Sequence, residues 1–100
     1  MKGKIVYIAG PISNCLDTYF LQFAAAEAQL KHKGAIVINP AMLPIGLRSH
    51  QSYMNICLPM VNESDMVVML PGWRDSKGAV MEATHGAAIG LPVFELHEVV

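Results

Sequence analysis

Four short apolar runs dominate this chain: KIVYIA (4–9), AIVI (35–38), DMVVML (65–70) and PVFEL (92–96). Each is rich in β-branched or aromatic residues, too short for a stable helix and continuously apolar rather than alternating. That pattern fits strands buried on both faces. Three are bounded by turn pairs, Gly10-Pro11, Asn39-Pro40 and Pro71-Gly72. Between them lie stretches long enough for helices, at 14–33, 50–63 and 77–90. In the first, Phe20, Phe23, Ala24 and Leu30 read as an apolar stripe, stopped by Gly34. In the second, Tyr53, Ile56, Cys57, Met60 and Val61 read as inward-facing, with Pro59 kinking or splitting the helix. Strand and helix in alternation require a parallel sheet with crossover helices. The expectation is one domain over residues 1–100, a small doubly wound α/β three-layer sandwich with a parallel four-to-five-stranded sheet.

The composition narrows the functions open to such a domain. A net charge of −1 in 100 residues supplies no field for nucleic acid or anionic lipid. No apolar run approaches the ~18 residues of a membrane span. The short apolar run near the N-terminus ends at Gly10-Pro11 and reads as a first strand rather than a leader. Cys15 and Cys57 have no metal-type spacing and read as reduced thiols, which points to the cytoplasm. A hydrophobic content of 53% is high for a lone small domain and points to a homo-oligomer, a dimer or larger.

In doubly wound sheets, ligands sit beyond the carboxyl ends of the strands. Here those ends carry AGPISN (9–14), NPAML (39–43) and PGWRDS (71–76). Gly10 frees the backbone to turn beside a ligand. Ser13 or Asn14 either caps the next helix or opens an anion site at its start. Ser76 is an N-cap whose hydroxyl could equally meet a phosphate. Trp73 either stacks on a base or covers the edge of the core, while Arg74 and Asp75 read as solvated. Glu82 has Gly78, Ala79, Ala83 and Gly86 as helical neighbours. Those small residues either admit a ligand to a carboxylate able to act as nucleophile or acid/base, or Glu82 is a solvated residue on an amphipathic helix whose small neighbours merely allow tight helix–sheet packing. His85 shares a face with Glu82, but two groups are not a metal ligand set, and no metal or cofactor is expected. The seven methionines read as core filler.

YIAGPIS at the first strand, the Asn39-Pro40 pair, DMVVMLPGW at the third strand, and SKGAVME with the later GLP resemble the nucleoside 2-deoxyribosyltransferase superfamily. The likeness runs over about residues 4–95, is most specific over 65–92, and is nearest to a short bacterial and phage branch. It implies a flavodoxin-like fold, usually oligomeric, and a small-molecule nucleoside or nucleotide ligand. It places the family's glutamate nucleophile, which attacks C1′ and displaces the base, on Glu82. Ser76 falls where the transferases carry aspartate and the related deoxynucleoside 5′-monophosphate N-glycosidases carry serine, which implies a phosphate near Ser76, Gly10 and the helix start at Ser13; Ser76, Gly10, Pro11 and Ser13 would hold phosphate or sugar. Trp73 or Tyr7 would lie against the sugar or base. Cys57 falls where the family usually carries a second aspartate, and Asp75 is the nearby carboxylate that could replace it. Three readings follow: an N-glycosidase or deoxyribosyltransferase, a non-catalytic nucleotide-binding module, and an interaction protein whose apolar surface is a subunit interface.

Overall fold

The computed structural model describes all 100 residues. Its strands are β1 (Ile5–Ala9), β2 (Ile36–Ile38), β3 (Met66–Met69) and β4 (Val93–Glu95), and its helices α1 (Tyr19–His32), α2 (His50–Asn62), α3 (Lys77–Ala88) and α4 (Leu96–Val99). The four strands form one parallel sheet in the order β2-β1-β3-β4. That is the flavodoxin-like order, with the chain reversing direction across the sheet between β1 and β3. The sheet has four strands, the lower end of the expected range.

Strand alternation divides the core into two layers. Val6, Ile8, Val68 and Leu70 point to one face, where Tyr19, Phe23, Ala26 and Leu30 of α1 cover them, joined by Leu96 and Val99 of α4. Tyr7, Ala9, Val67 and Met69 point to the other, against Met54, Cys57 and Val61 of α2 and Ala79 and Ala83 of α3. Helices on both faces explain why β1 and β3 read as continuous apolar runs: almost every residue of both is buried.

The stripe of α1 differs by one residue of phase from the sequence reading. Phe23 and Leu30 face inward, but Phe20 is 53% exposed and Tyr19 takes its place, packing edge-on against Phe23. On α2, Met54 replaces Ile56 in the core, and the helix runs through Pro59 to Asn62.

Helix α1 also starts later than expected. Residues 12–18 are held by successive turn bonds, Cys15 N–H to Ile12 O, Thr18 N–H to Cys15 O and Tyr19 N–H to Cys15 O, and the Cys15 thiol donates to Pro11 O at 3.0 Å. The N-cap is Thr18, without a side-chain bond, so neither Ser13 nor Asn14 caps the helix. The free N–H groups of α1 therefore lie a turn or more away from Ser13.

The close seating of α3 has a visible cause. A Cβ on Gly86 would stand 2.8 Å from Val67 Cγ2, well inside contact distance. Gly10 is equally constrained: its Cβ would meet Leu70 Cβ at 2.8 Å. Gly86 is thus needed for the close packing of α3 on the sheet.

Candidate functional site

Beyond the carboxyl ends of β1 and β3 lies a cavity of about 420 Å³, within the range of small-molecule sites. Its lining includes Gly10 and Ser13 after β1, and Ser76, Gly78 and Glu82 at and in α3. Cys57, Met54 and Tyr53 of α2 and Tyr19 and Phe23 of α1 also line it. The remaining edge is the loop after β2. Asn39 anchors its start, accepting from Ala41 N–H at 2.9 Å and donating to Glu27 at 3.0 Å. The Tyr53 hydroxyl pins its far end, donating to Pro44 O at 2.8 Å and accepting from Gly46 N–H at 3.1 Å.

Glu82 is the only carboxylate on the lining. It is 5% exposed, which excludes the reading of a solvated residue on an amphipathic helix. Tyr7, fully buried in β1, donates its hydroxyl to Glu82 Oε2. Oε1 accepts no hydrogen bond from the protein, yet Trp73 Nε1 is the only fully enclosed side-chain polar atom without a partner. Oε1 therefore opens onto the cavity. Cys57, on α2, lines the same cavity as Glu82 and packs in the same core layer as Tyr7.

Burial sets the electrostatics of these three groups. It pushes the Glu82 carboxyl up to about 7, against the opposing pull of the Tyr7 hydroxyl and the nearby Cys57 thiol. It raises the Tyr7 phenol far above its ordinary value, with the Glu82 charge adding to the effect, so the hydroxyl stays protonated and a donor. It raises the Cys57 thiol to about 11, partly offset by the nearby Tyr7 hydroxyl, so that this side chain is neutral at physiological pH. The arrangement is a carboxylate balanced between its two protonation states near neutrality, one oxygen fixed and the other free. Such a group can attack an electrophilic carbon or exchange a proton.

Ser76 is the N-cap of α3; its Oγ accepts from Ala79 N–H at 3.3 Å, and the residue is 9% exposed on the cavity wall. Five residues proposed from sequence thus share one lining: Gly10, Ser13, Ser76, Gly78 and Glu82. Pro11 is buried next to Gly10 but does not line the cavity. Trp73 and Asp75 lie outside it as well. After Pro71, Gly72 adopts a left-handed conformation (φ 82°) and leads into a 3-10 turn, Trp73–Asp75. The Trp73 ring packs on the core between the sheet and α2–α3, with the Arg74 guanidinium 4.4 Å above it and reaching Glu95 at 3.5 Å. Of the two readings of Trp73, core cover is the one its position matches.

Tyr7 is not an aromatic wall for a ligand; its ring is in the core and only its hydroxyl addresses the site. A clue lay in the sequence: a tyrosine in a strand buried on both faces must find a partner for its hydroxyl. His50, Lys77 and Tyr53 on the lining were not singled out from sequence as site residues. His85 turns away and bonds Asn62 at 2.6 Å, tying α3 to the end of α2. No three His, Cys, Asp or Glu side chains cluster as metal ligands would.

The fold and site together define a flavodoxin-like α/β protein with a buried carboxylate at the switch point of its sheet. By sequence the chain belongs to the family described as a Domain of unknown function (DUF4406), which it matches over residues 4–95. No curated protein matches it. Among solved structures it is similar to the 2-deoxyribosyltransferase of the psychrotolerant bacterium Bacillus psychrosaccharolyticus. The TM-score is 0.72 at 19% identity, over 91% of this chain and 70% of that one. It is also similar to the 2-deoxyribosyltransferase of Leishmania mexicana, with a TM-score of 0.70 at 23% identity over 92% of this chain. It spans 63% of the Leishmania protein's length. At such identities the likeness establishes a shared fold. No helix is long and apolar enough to cross a membrane.

Proposed function

We propose that this protein binds a nucleoside or nucleotide in the cavity and cleaves its N-glycosidic bond, with Glu82 as nucleophile. The observation that carries the reading is the Glu82 carboxylate, with Oε2 held by Tyr7 and Oε1 open to a cavity of nucleoside size. In the first step Oε1 attacks C1′ of the sugar. The C1′–N bond breaks, its electron pair goes to the base, and the base takes up a proton from solvent water as it leaves. A glycosyl ester remains on Glu82. In the second step water or another base takes the sugar at C1′ and frees the carboxylate, in the double-displacement logic of retaining glycosidases. The Tyr7 hydroxyl keeps its hydrogen bond throughout and fixes the attacking group. Ser76, with Ser13, His50 and Lys77 around the same cavity, supports a 5′-phosphate on the substrate. The shared fold with two 2-deoxyribosyltransferases supports the same chemistry.

The test is base release. The protein is incubated with a panel of nucleosides, deoxynucleosides and their 5′-monophosphates, and free base is followed by chromatography beside Glu82→Gln. Release reduced at least ~1,000-fold in the variant is expected, as for loss of a covalent nucleophile; equal release by the two proteins refutes the assignment.

One observation favours a second reading, a nucleotide-binding module without turnover: the cavity offers no second carboxylate to activate water, Cys57 being neutral. Calorimetric binding with the ligand recovered intact after long incubation would establish it. We further propose that like chains assemble. The exposed apolar side chains Leu16, Leu21, Met42 and Ile45, on the segments flanking the cavity, support this, and sedimentation reads it. Two free cysteines support a reducing compartment such as the cytoplasm.

A further inference from the structure

One side chain holds the strap that borders the cavity after β2. Residues 43–47 all line the cavity, yet Pro44, Ile45 and Gly46 are exposed, and residues 44–48 take part in no backbone–backbone hydrogen bond. The Tyr53 hydroxyl supplies what the backbone does not. It donates to Pro44 O at 2.8 Å and accepts from Gly46 N–H at 3.1 Å and Leu47 N–H at 3.3 Å. A phenol has one proton to give and two lone pairs, so its whole capacity is spent on this strap. Gly46, at φ 95°, lets its own N–H and the next converge on the one oxygen. The Tyr53 ring is half-buried against the core layer of α2 and α3, so the hydroxyl is held from a packed helix.

We propose that Tyr53 is a positioning residue: its hydroxyl is the latch that keeps residues 44–47 in place as an apolar rim of the cavity, so that a ligand meets a wall already formed. Its effect on binding rests on the reading that this cavity is the ligand site. The three bonds also decide the chemistry of the rim. Pro44 has no N–H, and the hydroxyl occupies the Pro44 carbonyl and the N–H groups of Gly46 and Leu47. What the strap offers a ligand is then chiefly the side chains of Leu43, Pro44, Ile45 and Leu47. Without the hydroxyl those backbone groups turn to water and the strap gains alternative conformations. Each binding event must then order it again, at a cost in affinity. The latch acts on binding rather than on the reacting group: the hydroxyl that bonds Glu82 is that of Tyr7, not Tyr53.

Trypsin reads the latch without any ligand. Arg48 is exposed at the end of the strap, and cleavage after it needs the strap released. Tyr53→Phe keeps the ring and removes only the hydroxyl. Cleavage after Arg48, followed by mass spectrometry as fragments 1–48 and 49–100, should be about tenfold faster in the variant, since the released form becomes more populated when these bonds are lost. Cleavage after Lys31 and Lys33, at the end of α1, should be unchanged. Equal rates at Arg48 overturn the proposal, as does a variant cut faster at every site alike, which reports global loosening. Affinity reads the positioning role. In a Glu82→Gln background, where no turnover intervenes, 2′-deoxyadenosine 5′-monophosphate is titrated by calorimetry. Adding Tyr53→Phe should weaken its binding about tenfold; unchanged affinity overturns the role. If neither this nucleotide nor any other compound of the panel binds, the proposed function fails by itself and the Arg48 rates still decide the latch. Where base is released, Tyr53→Phe should raise KM more than it lowers kcat. The reverse split would put Tyr53 in the chemical step and overturn the proposal.

Discussion

Glu82→Gln should stabilise this protein above neutral pH, while removing its proposed chemistry. The glutamate carboxyl has an ordinary value of 4.5, which applies to the unfolded chain, and about 7 in the fold, because burial penalises the charge more than Tyr7 and Cys57 favour it. Between those values the native state holds a proton that the unfolded state has released. Stability therefore falls as pH rises from 4.5 to about 7, and this group adds no slope outside that window. At about 1.4 kcal/mol per pH unit the full window costs about 3 kcal/mol, a large share of the ~5–15 kcal/mol that holds a domain folded. Glutamine is neutral throughout, and its side-chain oxygen can still accept from Tyr7. The variant should match the native protein at about pH 4 and exceed it by about 3 kcal/mol at about pH 8. For a domain of this size that is a Tm gap on the order of 10–20 °C. Calorimetric melts of both proteins across this range read the effect. Parallel curves for the two proteins would refute the claim that Glu82 is buried as a reluctant anion.

Two further outcomes follow from the packing. Gly86→Ala would bring a methyl group within 2.8 Å of Val67 Cγ2, so α3 must lift from the sheet; a loss of about 1–3 kcal/mol in urea unfolding is expected, and an unchanged midpoint would contradict the close seating of this helix. Ser76→Ala removes the bond from Ala79 N–H and should cost about 1 kcal/mol. If the hydroxyl also reads a phosphate, the preference for monophosphates over nucleosides in base release should fall about tenfold, a change that a capping role alone does not produce.

The parts of this fold that were legible in the sequence are those with a short period. β1 and β3 are buried on both faces and announced themselves as unbroken apolar runs, and the alternation of strand and helix led to the parallel sheet. Two kinds of feature were not legible. The start of α1 was misplaced because Thr18 caps without a side-chain bond, while Ser13 and Asn14, good capping residues, sit in turns bonded to their neighbours. Helical phase was misjudged where aromatic residues adjoin: Tyr19 and Phe20 are equally apolar to the eye, and only packing on β1 and β3 selects Tyr19. At the site, Glu82 and Ser76 were legible through their small neighbours and their place after a strand. The bond between Tyr7 and Glu82 spans 75 positions and has no local trace. Trp73 was drawn into the site by sequence proximity, but the turn at Gly72 sends its ring to the core instead.

The tyrosine that addresses Glu82 belongs to the central strand of the molecule, with no surface of its own. The Glu82 end of the cavity thereby rests on one of the most buried regions of the chain, the kind of region whose backbone amides generally exchange only on global opening. The opposite edge is the loop after β2, whose Met42 and Ile45 are largely exposed. A change of ligand in a descendant of this protein could be written into that loop at little cost to folding. A change of reaction would have to be written into the core, and the fold would be rewritten with it.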